Sequence, residues 1–502
     1  MARRIPPAAH PLWDAAALAL GALYPLGFAP FAWRALPPLL LAALWWLLLD
    51  ASGRRGLWRA GLFGVGAFGV GVSWVHHSLY VFGGAPWAVA AALAAGLVLA
   101  CAAFPVAAAA LWRVAAAGRR PLVSAAAFAA AWVLAEWLRG WLFSGFPWLY
   151  LGYAQLDTPL AGYLPVFGVW GASLAAALAG LAALAALRER GGGRWAALGL
   201  AAAVLAAGAV LGRIEWTRPA GAPIYAVLVQ GAIGQDRKLR PEALGSSLDR
   251  YLSLSEGFWQ ADVMVWPETA VPAFAFQVEP FLDLVEQRLR AAGGRLVTGI
   301  FSYDRATGAF HNSLLVLGDA ERALYHKQRL VPFGEYLPLR DWLRVFERWI
   351  DIPRSDLRPA PGPQGPVPVG GRPVAMGICY EAAYPWIWRA QLPEAEYLLT
   401  VSNDAWFGDS LAPHQHLEIA RVRAVESGRD LLRATNDGIS AAVAADGRVR
   451  ARSRQFVPEV LETTVQPRRG ATPFVRWGAL PALGVCLLLL AAARRSPRRP
   501  SC

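Results

Sequence analysis

From Leu12 to Gly212 apolar positions follow one another in runs of roughly 17 to 25 residues, the length a helix needs to cross about 30 Å of hydrocarbon. The pattern predicts seven spans there, near 12–29, 33–50, 57–81, 86–112, 121–142, 163–187 and 195–212, and an eighth near 475–493. Between them, over 213–474, the pattern changes. Short β-rich runs at Ile224–Gln230, Asp262–Trp266, Arg295–Phe301, Asn312–Leu317, Val374–Cys379 and Tyr397–Ser402 read as strands, and Arg240–Phe258, Val278–Ala292 and His414–Arg429 as helices. Strands interleaved with helices over this length predict one layered α/β domain. The expected division is a membrane domain over 1–212, an extramembrane domain over 213–474, and a last span with a basic tail over 475–502.

Composition agrees with the pattern. Of 502 residues 56% are apolar and 17% charged, with a mean hydropathy of +0.36, which excludes a soluble, disordered or collagenous chain. Four cysteines, Cys101, Cys379, Cys486 and Cys502, exclude a disulfide-stapled scaffold. A net charge of +13 raises nucleic acid as a partner, but the arginines sort by connection. Arg3 and Arg4, Arg54, Arg55 and Arg59, Arg113, Arg119 and Arg120, Arg188, Arg190 and Arg194, and Arg494, Arg495, Arg498 and Arg499 share one side, while the other short connections hold Arg34 and Arg139. The positive-inside rule then puts both termini in the cytoplasm and the 213–474 domain outside it, so the excess charge reads as topology and nucleic acid is not the expected partner. The apolar start reads as a retained first helix rather than a cleaved signal.

Two stretches of the domain break its pattern. Arg340–Ile350 places Trp342, Leu343, Phe346, Trp349 and Ile350 at helical spacing and reads either as a surface helix or as one resting on lipid headgroups. Ser355–Gly371 is a Pro/Gly-rich loop.

Three residues carry candidate chemistry. Only two of the 48 basic side chains are lysine, Lys238 and Lys327; a lysine that persists among arginines marks a place where the guanidinium fork does not serve. Lys327 sits in a patterned stretch, whereas Lys238 has no motif around it and reads as surface. Cys379, the only cysteine of the extramembrane domain, ends an apolar strand before Tyr-Glu-Ala-Ala, where a starting helix would favour thiolate. Glu268 follows Trp266-Pro267, which must end a strand, and is therefore displayed at that strand's end. Together a carboxylate can take the thiol proton, the sulfur can attack a carbonyl, and an ammonium can stabilise the oxyanion. His414 and His416 lie two apart on a helix and face away from each other, so no metal set is expected, and no Gly-rich phosphate motif calls for a nucleotide.

The stretches Trp266-Pro-Glu-Thr269, Tyr325-His-Lys-Gln-Arg-Leu-Val-Pro-Phe-Gly-Glu335 and Gly377-Ile-Cys-Tyr-Glu381 resemble, in that order, the Glu-Lys-Cys triad of the nitrilase superfamily. With helices before and after, the chain resembles one branch, the bacterial apolipoprotein N-acyltransferases. Glu136–Trp148, Ser402–Gly408 and Arg433–Ser440 are similar to further segments of that branch. The resemblance implies a polytopic α-helical membrane protein, of about eight spans, carrying an αββα sandwich on the periplasmic side of the inner membrane. It also implies a ping-pong reaction without cofactor, in which Cys379 takes an acyl chain from a phospholipid as a thioester and yields it to the amine of a lipoprotein's diacylglyceryl-cysteine. Glu268 would be general base, Lys327 the oxyanion cation and Cys379 the nucleophile. Glu335 would orient Lys327 or the amine, and Tyr380 and Glu381 flank the nucleophile, with the Tyr380 N–H completing an oxyanion hole. Trp406 and Trp148 are expected near substrate. The family often has Trp where this chain has Leu239, and a different residue at Ala232. A membrane-anchored amidase using water as acceptor would need the same triad, and a transporter carrying a degenerate domain is the third reading. Against the last, the spans hold few central ionisable residues, Glu136 being the main exception.

Overall fold

The computed structural model describes residues 10–238, 240–305, 307–332, 334–336 and 357–497, so the predicted helix at Arg340–Ile350 and the variant position Leu239 lie outside the described residues. The chain divides into two compact units. One holds 1–75, 91–214 and 476–502; the other holds His76–Ala90 and Glu215–Val475.

The first unit is helical, and each predicted span coincides with helix. Trp87–Ala116, Pro121–Arg139, Pro159–Ala185 and Gly192–Leu211 are long and apolar enough to cross a membrane. Pro11–Leu23, Leu36–Leu49 and Leu480–Arg495 are shorter, and Gly53–Gly71 is long but glycine-rich. Its glycines serve close packing. A Cβ on Gly21 would stand 2.0 Å from the Phe63 carbonyl oxygen and one on Gly66 2.3 Å from that of Leu18, so the two helices approach backbone to backbone, as small residues allow in lipid. Leu99, Val114, Leu205 and Leu488 point outward, as lipid-facing positions do.

The basic connections of this unit meet at one end of the bundle, where their arginines also hold structure. Arg113 donates to the carbonyl of Ala51 (2.8 Å) just past the end of Leu36–Leu49, a favourable place for a cation. Arg188 pairs with Asp50 (2.7 Å), Arg59 with Asp14 (3.0 Å), and Arg119 donates to the carbonyl of Arg494 (2.8 Å).

Among the described residues the second unit contains fifteen strands: β1 Thr217–Pro219, β2 Ile224–Gln230, β3 Val263–Val265, β4 Val271–Phe274, β5 Leu296–Asp304, β6 Ala309–Leu317, β7 Ala323–His326, β8 Val367–Val369, β9 Arg372–Ile378, β10 Tyr397–Ser402, β11 Leu431–Thr435, β12 Ala441–Val443, β13 Val449–Arg452, β14 Glu459–Val465 and β15 Arg468–Gly470. One sheet runs β14-β2-β3-β5-β6-β7 with β4 beside β5; a second runs β13-β12-β11-β10-β9-β8; β1 and β15 form a separate ribbon. The period-two alternation of side chains sorts the layers. In β2, Ile224, Ala226 and Leu228 enter the core shared with Val374, Met376, Leu399 and Val401 of the other sheet, while Val227 and Val229 face Leu282, Val285 and Leu289 of helix Glu279–Ala292. Helix Leu244–Ser255 lies on the same side, and Ala412–Ser427 with the short Pro385–Arg389 covers the second sheet. The result is the expected αββα sandwich.

Strands read from sequence are all present, some shorter or longer by a few residues. The predicted helix over Arg240–Phe258 narrows to Leu244–Ser255, and His414–Arg429 becomes Ala412–Ser427. Part of the predicted loop Ser355–Gly371 is strand: Val367–Val369 pairs antiparallel with β9 through a Gly370-Gly371 turn in which both residues have positive φ.

Candidate active site

The predicted residues stand at the carboxyl ends of strands. β3, β5 and β7 run in one direction, β5 and β7 joined through the antiparallel β6, and β9, β10 and β11 are parallel within their sheet. Glu268 follows β3, Lys327 follows β7, and Cys379 follows β9. Open α/β sheets characteristically place their sites at such ends.

Glu268 is held on every side. After Trp266-Pro267 the loop folds down onto β5, where Gly299 makes room: a Cβ there would lie 2.4 Å from the Thr269 nitrogen and 2.5 Å from the Pro267 oxygen. The Glu268 Oε1 accepts from Lys327 Nζ (2.9 Å) and Asn312 Nδ2 (2.8 Å), and Oε2 accepts from the backbone N–H of Asn403 (2.9 Å). Burial alone would raise its pKa, but the Lys327 ammonium and these donors bring it below the ordinary glutamate value. Lys327 is 1% exposed and also donates to Glu335 Oε1 (2.8 Å). Burial works against its charge, yet the two carboxylates outweigh burial and raise its pKa well above normal. Glu335 completes its own anchorage by accepting from the Val331 N–H (2.8 Å).

Cys379 has φ +53, the left-handed region, and is 8% exposed. The following helix is a five-residue 3₁₀ turn, Cys379–Ala383, too short to supply the dipole that sequence suggested. Burial, then the Glu268 charge, push the thiol above its ordinary pKa, with Lys327 pulling the other way, so the expected resting thiolate is corrected to a neutral thiol in need of a base.

Glu381 ties two of these loops together. Its Oε1 accepts from the N–H groups of Gln328 (2.5 Å) and Arg329 (3.0 Å), just after Lys327, and Oε2 accepts from Ile378 N–H (2.7 Å) and Tyr325 Oη–H (3.0 Å). Burial pushes its pKa up to about 7 against those donors. Tyr380 is half-buried, its ring edge-on to Tyr384 at 5.1 Å. Trp406, half-buried in the turn Asp404–Phe407, accepts at its carbonyl from Ser78 Oγ (2.6 Å) and meets the ring of Phe82 at 6.2 Å. Trp148 belongs to the first unit, where it is 1% exposed and packed against Phe146 and Trp74.

Several residues that frame the site were not singled out in the sequence. Asn312 and Asn403 bind Glu268 as described. Asp404, His416 and Arg433 form a buried cluster behind Cys379: Arg433 Nη2 donates to Asp404 Oδ2 (2.7 Å), and His416 Nε2 lies 3.0 Å from the Cys379 carbonyl oxygen. Burial and the neighbouring Arg433 lower the His416 pKa, leaving a neutral ring. Nε2–H donates to the Cys379 carbonyl, and Nδ1 stands 3.1 Å from both Arg433 Nη2 and Asp404 Oδ1. His416 therefore ties helix Ala412–Ser427 to the Cys379 main chain. Lys238, read as surface, is 1% exposed and donates to the Glu268 backbone carbonyl (2.8 Å). Its rarity in an arginine-dominated chain was the signal that could have found it.

This sandwich is a carbon-nitrogen hydrolase domain, and the family profile of that description matches residues 226–473. A second profile, the apolipoprotein N-acyltransferase N-terminal domain, matches residues 20–182. Apolipoprotein N-acyltransferases are similar along nearly the whole length: that of Methylococcus capsulatus is 44% identical, covering 94% of this chain and 93% of the relative, and that of Azotobacter vinelandii 41%, covering 96% and 95%. The chain belongs to the apolipoprotein N-acyltransferase family. Among solved structures, a carbon-nitrogen hydrolase from Helicobacter pylori aligns at 19% identity and a TM-score of 0.36, covering 52% of this chain and 94% of its own. An amidase from Nesterenkonia sp. aligns at 20% and 0.36, covering 52% and 95%.

Proposed function

We propose that the chain is a lipoprotein-maturing acyltransferase that moves a fatty acyl chain from a phospholipid, through a thioester on Cys379, to the amine of an amino-terminal diacylglyceryl-cysteine. The observation that carries this reading is the buried chain of contacts Glu335–Lys327–Glu268 beside a neutral thiol at the end of β9.

In the first half-reaction Glu268 takes the Cys379 proton as the sulfur attacks the ester carbonyl. Lys327 and the Tyr380 N–H stabilise the oxyanion. Collapse expels the lysophospholipid oxygen, which receives the proton from Glu268. In the second, Glu268 takes a proton from the acceptor amine as its nitrogen attacks the thioester, and the sulfur leaves and is reprotonated. Glu335 fixes the Lys327 ammonium by sharing it with Glu268, and Glu381 holds the loops of Lys327 and Cys379 in register. Trp406 contributes apolar surface for an acyl chain. No cofactor enters either half.

The segments 1–212 and 475–502 act as the membrane base, with both termini cytoplasmic and the 213–474 domain periplasmic. The arginine distribution supports that orientation.

The test is intact and peptide mass spectrometry of the protein incubated with a defined phospholipid. A hydroxylamine-sensitive acyl mass on Cys379, discharged by a diacylated lipopeptide, is the expected result. An adduct discharged by water alone would make the protein a hydrolase, and no adduct on a folded protein with alkylatable Cys379 would overturn the thioester route.

A further inference from the structure

Lys238 ends the four-residue helix Gln235–Lys238, in the segment that follows β2. That segment is fastened to the site from both sides: Ala232 N–H donates to the Asn436 carbonyl (2.6 Å), Asn436 Nδ2 to the Ile233 carbonyl (2.7 Å), and Asn403 Nδ2 to Gln235 Oε1 (2.6 Å). Asn403 is the residue whose backbone N–H holds the Glu268 carboxylate. Lys238 therefore reaches the main chain of Glu268 from a rigid platform, out of contact with solvent.

The charges explain why a cation belongs there. Glu268 and Glu335 share the ammonium of Lys327, so Glu268 holds only part of that cation in a pocket where its own charge is desolvated. The charged and titratable groups facing Lys238 are Glu268, Asp437 and Cys379. Asp437 is pushed up to about 7 by burial and the Asp404 charge. Asp404 itself is paired with Arg433. When the thiol proton moves to Glu268, the negative charge changes place from oxygen to sulfur, and Lys238 faces both groups.

We propose that Lys238 is a positioning residue of the reaction: its ammonium holds the Glu268 main chain and adds its positive charge to that of Lys327 in keeping the Glu268 carboxylate ionised. The inference rests on Glu268 being the base. Burial pulls Lys238 down to about 8, with Glu268 and Asp437 opposing, so it carries its charge at neutral pH. Both lysines of the chain thus serve one carboxylate, Lys327 at its side-chain oxygen and Lys238 at its backbone.

The experiment follows alkylation of Cys379 by iodoacetamide in the full-length protein in detergent, read by peptide mass spectrometry between about pH 4 and 9. In this reaction the thiol proton passes to Glu268, an S–C bond forms and iodide leaves. Glu268→Gln should slow labelling and flatten its pH profile, and Lys238→Met should displace the acid fall-off upward by about one pH unit, the effect of losing one nearby opposite charge. Lys238→Arg, which keeps the charge, should return the fall-off to its wild-type position even with a lower plateau. Should Lys238→Met not fold, Lys238→Gln, an uncharged donor to the same carbonyl, carries the same comparison. An unmoved fall-off in the uncharged variant, or an equal displacement with Arg, overturns the proposal while leaving Glu268 as base. A wild-type profile in Glu268→Gln overturns the base assignment, and this inference with it.

Discussion

Two buried charge clusters flank Cys379, and they are built from different cations. On one side Glu268 and Glu335 share the ammonium of Lys327; on the other Asp404 pairs with the guanidinium of Arg433, beside His416. The arginine cluster is a packed support: Asp404 also accepts from Ser402 (2.6 Å), its pKa is held below the ordinary aspartate range by Arg433 and the Ser402 hydroxyl despite burial, and the cluster reaches the Cys379 carbonyl through His416. In the proposed reaction the lysine cluster is the one that meets reacting atoms. A guanidinium is a permanent planar fork suited to fixing a carboxylate, whereas an ammonium is a compact point charge that can serve two carboxylates and a developing oxyanion together. In a chain with 46 arginines, both lysines stand at the carboxylate whose proton inventory must change.

The comparison breaks most sharply at the reacting atoms. Cys379→Ala and Glu268→Gln should each lower acyl transfer by more than about a thousandfold, since removing a nucleophile or its base deletes a step rather than weakening one. Membrane insertion should be unchanged, and the readout is thioester mass together with lipopeptide acylation. Retained turnover in either variant would sink the proton-transfer scheme. Next, Lys327→Arg should cost about a hundredfold or more in thioester formation although the charge is kept, the scale of losing one oxyanion donor. Normal activity there would show that the two cations are interchangeable and remove the contrast drawn above.

How much of this the sequence discloses depends on whether a residue's role is local. Glu268 and Cys379 sit at strand ends marked by Pro267 or by an apolar run, so their display is legible, Lys327 stands out by its rarity among arginines, and strands that form β-rich apolar runs, such as Ile224–Gln230 and Tyr397–Ser402, are legible too. The edge strand β13, VRAR, carries arginines and escapes a hydrophobic pattern, and β11 and β12 are all-buried short runs that periodicity does not distinguish from helix. Lys238 and His416 were misjudged for one reason: burial and partners lie far apart in the chain, with Lys238 bonded to Glu268 and His416 to Cys379. The helix expected after Cys379 fails because Tyr384-Pro385 forces extended backbone after five residues.

A smaller effect probes the arginine side. His416→Ala removes the donor to the Cys379 carbonyl and leaves that buried oxygen unpaired, which at about 1 to 2 kcal/mol corresponds to roughly a tenfold fall in thioester formation. His416→Gln, whose amide can donate to the same oxygen, should recover much of it, with phospholipid affinity unchanged in both. A loss as large as that of Glu268→Gln would mean that His416 takes part in proton transfer, and the arginine cluster would no longer be a scaffold.

The smallest expected effect sharpens the lysine side. Glu268 must be ionised to accept the thiol proton, and its folded pKa lies below the ordinary glutamate value because Lys327, with Asn312 and Lys238 adding to it, outweighs burial. Lowering the pH from about 7 to about 5 stays above that ordinary value of roughly 4.3, so the base remains charged and the rate of Cys379 acylation should change less than about twofold on its account. Protonation of Glu268, with its loss of function and of the stability its ion pair contributes, belongs at still lower pH, since a depressed carboxylate pKa is crossed only as pH falls through it. An inflection near 7 would instead report Glu381 or Asp437, each pushed up to about 7 by burial, and should vanish in Glu381→Gln or Asp437→Asn. An inflection that stays in both variants and disappears only in Glu268→Gln would place the base above its ordinary pKa, and the two lysines could then no longer be what keeps it ionised.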